Sequence, residues 1–344
     1  MKIIDSHVHF GECDNIADSV KRYDAIIKKY NYDKIVAASL PYCSKHNYQL
    51  DESANLCALY LKEALKPKVY AYASIMHYEN ETKESILEQA KRLVSMGFDG
   101  FKSLEGKPNI RKIIGIPLDD EVYDLFFEYL EKNQIPYLIH VGDIDKLFHP
   151  ERLPQEYIDA GCYYDETHKT NEELWVEAEG ILKKFPRLNL IFAHFMFKAD
   201  DIDFCTRLME TYPNMKFDIV PHMDLFTEMS EDIEKWREFF VKYSDRILYG
   251  TDLYDSEVSS HTDTMVYTTR RFLEDDGEFH MWDRDIKGLC LDNNVLENIY
   301  FKNAEKMLGS VPKPVNREML AGECEKLKEN SNIEYMLNYL KSHK

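Results

Sequence analysis

Short runs of uninterrupted apolar residues alternate along this chain with longer stretches whose apolar positions recur every three or four residues. The first run, Met1–Phe10 (MKIIDSHVHF), takes β-propensity from Ile3, Ile4 and Val8 and contains neither Gly nor Pro, which predicts a short buried strand. Further runs lie at Lys34–Leu40, Val69–Ile75, Gly100–Leu104, Pro136–Val141, Leu188–His194, Met215–Val220 and Ile247–Asp252. Helical stretches fall between them, near residues 19–30, 51–65, 81–95, 119–133, 172–184, 201–211, 228–243 and 262–275. Continuous hydrophobicity marks strands covered on both faces, as in a parallel sheet. Local punctuation agrees: Pro117-Leu-Asp119 opens the fourth helix with an acidic turn, and Asn133 and Pro136 bracket its exit. Eight strict βα units over about 275 residues predict an α/β fold of the (β/α)8 TIM-barrel type, not an open doubly wound sheet. No GxGxxG follows the first strand, which removes the main dinucleotide-binding signature.

The barrel is expected to occupy residues 1–309, with Asp292–Leu308 as a helix packed on it. Gly309-Ser-Val-Pro-Lys-Pro breaks that helix, and residues 310–344 form a charged helical tail. Its Met319, Leu320, Leu327, Tyr335, Met336 and Tyr339 fit docking on the barrel or on another subunit.

Composition narrows the class. A hydrophobic share of 44% supports a substantial core, and no run long enough to span a bilayer exists. The chain passes from Met1 and Lys2 straight into the first strand, without a signal-peptide pattern, which places the protein in the cytoplasm. Seven scattered cysteines without a CxxC pair argue for reduced thiols. A net charge of −19 argues against nucleic acid or an anionic membrane as partner and leaves a small molecule as the expected substrate.

Chemistry in such a barrel gathers at the carboxyl ends of the strands. Strand alternation puts His7 and His9 on one face, with Asp5 deeper on the same face as an outer acceptor. The fifth strand ends with His140, the sixth with His194 and the eighth with Asp252. Four imidazoles and a carboxylate converging on the barrel mouth make a divalent-metal site suited to Zn2+, with Mn2+ or Fe2+ as further candidates.

In DSHVHF (Asp5–Phe10), GFKSL (Gly100–Leu104), PYLIHVG (Pro136–Gly142), LIFAHF (Leu190–Phe195), LYGTD (Leu248–Asp252) and ENIYFKNAEKMLG (Glu297–Gly309), the chain resembles the amidohydrolase superfamily. The likeness is to the branch of predicted TIM-barrel metal-dependent hydrolases and aminocarboxymuconate-semialdehyde decarboxylase relatives. The resemblance implies that His7, His9, His140 and Asp252 hold the metal and that His194 stands beside it as acid, base or electrophile. Asp252 would both touch the metal and shuttle a proton, and a homodimer is the family expectation. A metal there lowers the pKa of bound water, which Asp252 deprotonates for attack on an amide, lactone or ester-like carbonyl. A non-oxidative decarboxylase of an aromatic or unsaturated acid keeps the same ligands and is the alternative reaction.

Lys102, at the end of the fourth strand, fits a bridging carbamate, a substrate carboxylate contact or an outward salt bridge. Tyr42, His77 and His222 follow strands 2, 3 and 7 and are candidates to shape the pocket, His222 as a substrate contact. Gly142–Asn171 is long enough to be a lid and carries His149, Arg152, Tyr157, Tyr163, Tyr164 and His168, of which Arg152 is a second cationic anchor candidate.

Overall fold

The computed structural model describes residues 1–10, 14–42, 48–222, 224–254, 259–281, 284–327 and 330–342. Eight parallel strands pair in sequence order: β1 (Ile4–Phe10), β2 (Lys34–Ser39), β3 (Val69–Ala73), β4 (Gly100–Gly106), β5 (Tyr137–Val141), β6 (Leu190–Phe192), β7 (Lys216–Asp218) and β8 (Ile247–Leu248). Each lies in one of the apolar runs except β4, which continues two residues past Leu104, and at least one helix follows each, which makes the molecule a (β/α)8 TIM barrel. Just beyond β8 the chain closes the cylinder onto β1. Ser6 N–H donates to the Tyr249 carbonyl (2.9 Å), Asp252 N–H to His7 (2.9 Å) and His9 N–H to Leu253 (2.7 Å).

The interior of the cylinder is filled by Ile4, Val36, Ala38, Tyr70, Tyr72, Leu138, Ile191 and Leu248, with Ala304 of the closing helix sealing its lower end. A larger apolar layer packs the outer strand faces against the helices. The register of β1 against β2 shifts between Asp5 and Val8. Such a bulge breaks the two-residue alternation. Ile4 therefore belongs to the interior core while Val8 and Phe10 belong to the outer layer.

Several boundaries differ from those the pattern predicts. The stretch 228–243 is two helices, Leu225–Glu231 and Ile233–Lys242, separated at Asp232 (φ −137°, ψ 63°). A 3-10 turn at Glu121–Tyr123 precedes the helix Asp124–Asn133. An additional helix, Pro108–Ile114, follows β4, and an antiparallel hairpin, β9 (Glu278–Met281) with β10 (Arg284–Lys287), follows the helix Ser260–Glu274.

The closing helix runs from Asn293 through a π turn at Asn298–Lys302 to Leu308. Beyond it, helices Arg317–Cys324 and Ser331–Ser342 lie on the chain's own barrel, against helices Ile16–Lys29, Ala54–Ala64 and Lys83–Met96. They bury Leu320, Ile333, Met336, Leu337 and Leu340, and Tyr60 meets Tyr335 and Tyr339 edge to face at 6.3 and 5.2 Å. Among the described residues, no helix is long and apolar enough to cross a membrane. Cys57, Cys162, Cys205, Cys290 and Cys324 are free thiols, and Cys13 and Cys43 lie outside the described residues.

Candidate metal centre

After the bulge in β1, His7 and His9 both point into the barrel mouth. His7 Nδ1 lies 2.7 Å from Asp218 Oδ2. A carboxylate there keeps the ring proton on Nδ1 and leaves Nε2 as a bare lone pair. That Nε2 is 3.3 Å from His9 Nε2 and 3.5 Å from Asp252 Oδ1, while His9 Nε2 is 2.5 Å from the same oxygen. All three residues offer atoms within 4.8 Å of one another. Burial holds both imidazoles below their ordinary range, His7 far below, so they present lone pairs and not charges. Burial also opposes the charge on Asp252, but contact with His9 outweighs it and holds the carboxyl well below the usual range. His9 Nδ1 is nevertheless buried without a hydrogen-bonded partner among the described residues. Electron donors crowded on one point, with an orphaned polar atom among them, fit a divalent cation.

Local backbone explains how these groups meet. Gly250 lets the chain after β8 pass close to β1, since a Cβ there would stand 2.7 Å from Val220 Cγ2 and 2.9 Å from His7 Cβ. Asp252 takes a left-handed conformation (φ 59°) that turns its side chain back over His7. Tyr23 donates its hydroxyl proton to the His9 carbonyl. Asp5 does not act as an outer acceptor to a ring. The bulge turns it away from the imidazoles, and its oxygens accept from His7 N–H (3.2 Å) and Thr251 Oγ1 (2.5 Å).

His194 lies two residues beyond the end of β6, at the head of an unusual turn. His194, Phe195, Met196 and Phe197 all have φ between 50° and 57°. None is Gly, and each left-handed residue costs about 1–2 kcal/mol. Three contacts hold the turn: His194 N–H donates to Asp218 Oδ1 (2.8 Å), Trp175 Nε1–H donates to the Met196 carbonyl (3.0 Å), and Phe195 stacks on Phe217 (4.6 Å). The turn brings the His194 ring 5.6 Å from His7, 5.1 Å from His140 and 4.9 Å from Phe197. Its Nδ1 is buried without a partner, and burial lowers its pKa to about 4.

His140 stands outside the three-residue cluster, with Nε2 3.1 Å from the Gly142 carbonyl. Lys102 is 1% exposed, and its Nζ is buried with no hydrogen-bonded partner, so the outward salt bridge is ruled out. Burial lowers Lys102 to about 8 against the pull of Asp218, Asp252 and Glu105. His222 faces the site, its ring 4.9 Å from Phe197 and its Nε2 unpartnered. Arg152 does not face it. Its side chain is 68% exposed and, among the described residues, pairs only with Glu151, because the segment after β5 folds into surface turns at Asp145–Phe148 and Pro150–Arg152. Beside that segment lies a cavity of about 960 Å³, lined by Phe148, His149, Tyr164, His168, Phe197 and His222 among others. Tyr42 and His77 contact each other instead of the cluster, and His77 is held between Glu81 (2.7 Å) and Glu105 (3.1 Å).

Asp218 is the residue that the sequence reading passes over. It ends β7 in MKFDIV, at the same depth as the other strand-end groups, and that position was its available signal. Burial pushes it up to about 6, and its two oxygens join a cradle imidazole to the turn that carries His194.

A family model described as Amidohydrolase matches residues 4–310. No curated protein matches the sequence. Among solved structures, an uncharacterized TIM-barrel protein from Bordetella bronchiseptica is similar with TM-score 0.58 at 14% identity, over 90% of this chain and 98% of that one. The 4-oxalomesaconate hydratase of Rhodopseudomonas palustris gives 0.53 at 15%, over 95% and 100%. A dihydroxybenzoic acid decarboxylase from Polaromonas sp. JS666, with bound manganese and 2-nitroresorcinol, gives 0.55 at 12%, over 89% and 96%. With the family match running through every strand of the barrel and through the whole histidine and aspartate constellation, this chain belongs to the amidohydrolase family.

Proposed function

We propose that the chain binds one divalent cation and acts on a small carboxylic acid, and that of the two reactions expected for this ligand set, decarboxylation is the better fit. His7, His9 and Asp252 would hold the cation, the family pattern adds His140, and the donor set suits Zn2+, with Mn2+ or Fe2+ as substitutes. When bound, the cation supplies a Lewis acid. The observation that carries the reading is Lys102, an interior amine with no partner, at the mouth that also holds the cradle. A substrate carboxylate would satisfy that group in a site walled by Phe197 and the His194 ring. The reaction releases carbon dioxide and puts a proton on the carbon left behind. That proton comes from solvent, and His194 and Asp252 are the groups placed to relay it to the carbon.

Hydrolysis is the second reading, favoured by Asp252 as an ionised carboxylate at the cradle, able to take a proton from water. The test is to incubate metal-loaded protein with a panel of aromatic and unsaturated acids and a panel of esters, lactones and amides. Carbon dioxide release from an acid, with a KM raised about tenfold or more in Lys102→Met, supports the reading. Turnover confined to the ester, lactone or amide panel overturns it in favour of hydrolysis.

A further inference from the structure

The lower end of the barrel, opposite the cradle, carries charge in two contrasting halves. Near the start of β1 and β2, the cations are matched: Lys2 Nζ lies 2.5 Å from Glu305 and 3.5 Å from Asp33, and Lys34 Nζ lies 2.6 Å from Asp33. Around the starts of β7 and β8 they are not. Among the described residues, Lys216 donates only to neutral oxygens, Asn189 Oδ1 at 2.5 Å and the Asn214 carbonyl at 3.1 Å. Arg246 spends Nη1 on the carbonyls of Met209 (2.8 Å) and Tyr212 (3.3 Å). Lys306, on the closing helix, makes no ion pair among the described residues. The local carboxylate, Asp245, is 66% exposed and only reaches 4.0 Å from Arg246. All four side chains, with Asn189 and Asn303, line one cavity of about 390 Å³.

We infer that this cavity is an anion site for a phosphate group, free or carried as a monoester of a small molecule. Three cations against one carboxylate leave a local charge that complements a dianion, and a phosphate monoester is close to a dianion at neutral pH. Asn189 stands in the same wall beside Lys216, while the amide N–H groups of Gln134 and Asn303 are engaged by backbone carbonyls. The cavity stands out in a chain whose net charge is −19, where a solvated surface would be acidic by default. Burial, then repulsion from Lys306 and Arg246, lowers Lys216 to about 8, a cost that a bound anion relieves. An occupant would tie the closing helix to the starts of β7 and β8. The site is independent of the cradle, since the parallel strands separate the two by the full depth of the barrel.

Isothermal titration of the metal-loaded full chain at constant ionic strength tests this, with inorganic phosphate and glycerol 3-phosphate as probes. The wild type is expected to bind at least one, and tighter binding of the ester identifies a phosphorylated molecule as the class. Lys216→Gln/Lys306→Gln is expected to weaken binding by about tenfold or more. Lys306→Gln alone, a change at an exposed position, is expected to weaken it severalfold and serves if the double variant does not fold. Binding of neither probe by the wild type, or equal binding by wild type and Lys306→Gln or the double variant, overturns the proposal.

Discussion

Each oxygen of the Asp218 carboxylate has a separate task, one fixing the proton on the His7 ring and the other receiving the His194 amide. Asp218→Asn keeps the shape but sets an amide N–H against the Nδ1 proton of His7, or else rotates and abandons the His194 amide. Zn2+ affinity is expected to fall about 10–100-fold, measured by competition with a chromophoric chelator, and unchanged affinity would show that Asp218 does not set the tautomer. His7→Ala and Asp252→Ala are expected to lose metal and activity while retaining the circular dichroism of the barrel. If both stayed fully active, the cradle would be misassigned. Lys102→Met removes charge at nearly constant volume. With the acid that proves to be the substrate, it should raise KM about tenfold or more and leave one metal per chain. Two metals in the wild type falling to one or none in the variant would mean instead that the lysine bridges them.

At the scale of elements, the strands were legible because burial on both faces demands unbroken apolar runs, and that requirement is local. The turn at His194–Phe197 was not legible, since four consecutive non-glycine residues with positive φ contradict every local preference and persist through distant contacts such as those of Asp218, Trp175 and the Phe195 stack. Trp175→Phe removes one of those holds and is expected to destabilise the protein by about 1 kcal/mol in urea unfolding. The bulge in β1 was equally hidden, which is why Asp5 looked like a partner of the imidazoles and is not. Arg152 was offered by loop composition alone, and nothing in the spacing of a loop says which way it folds. The segment after β3 gives a pH prediction. Burial opposes charge on His77, but hydrogen bonds to Glu105 and Glu81 outweigh it and raise its pKa to about 9, from 6.5. Stabilisation from that ion is fully present below pH 6.5 and disappears as pH rises through about 9. The loss is on the order of 3 kcal/mol. Unfolding midpoints measured from pH 6 to 9.5 should fall in the wild type more steeply than in His77→Gln.

For the whole molecule, the sequence left the destination of the tail open, and its helices lie on the chain's own barrel because Leu320, Ile333, Met336 and Leu340 complete an apolar surface that helices Ile16–Lys29 and Ala54–Ala64 leave uncovered. The seam between β1 and the chain after β8 has a larger consequence. Two of its three backbone hydrogen bonds involve His7 and His9, and the third strand-end donor, Asp252, comes from the opposite side. A cation in the proposed cradle would therefore be a cross-link between the first and last strands, closing a ring that contains nearly the whole barrel. In polymer terms it removes loop-closure entropy from any state in which the seam has parted, as a disulfide between the same strands would. Chelation should accordingly lower Tm and speed hydrogen exchange first at the amides of Ser6, His9 and Asp252, with both effects reversed by restoring the metal. Exchange that accelerates evenly around the barrel would mean that the ring opens elsewhere.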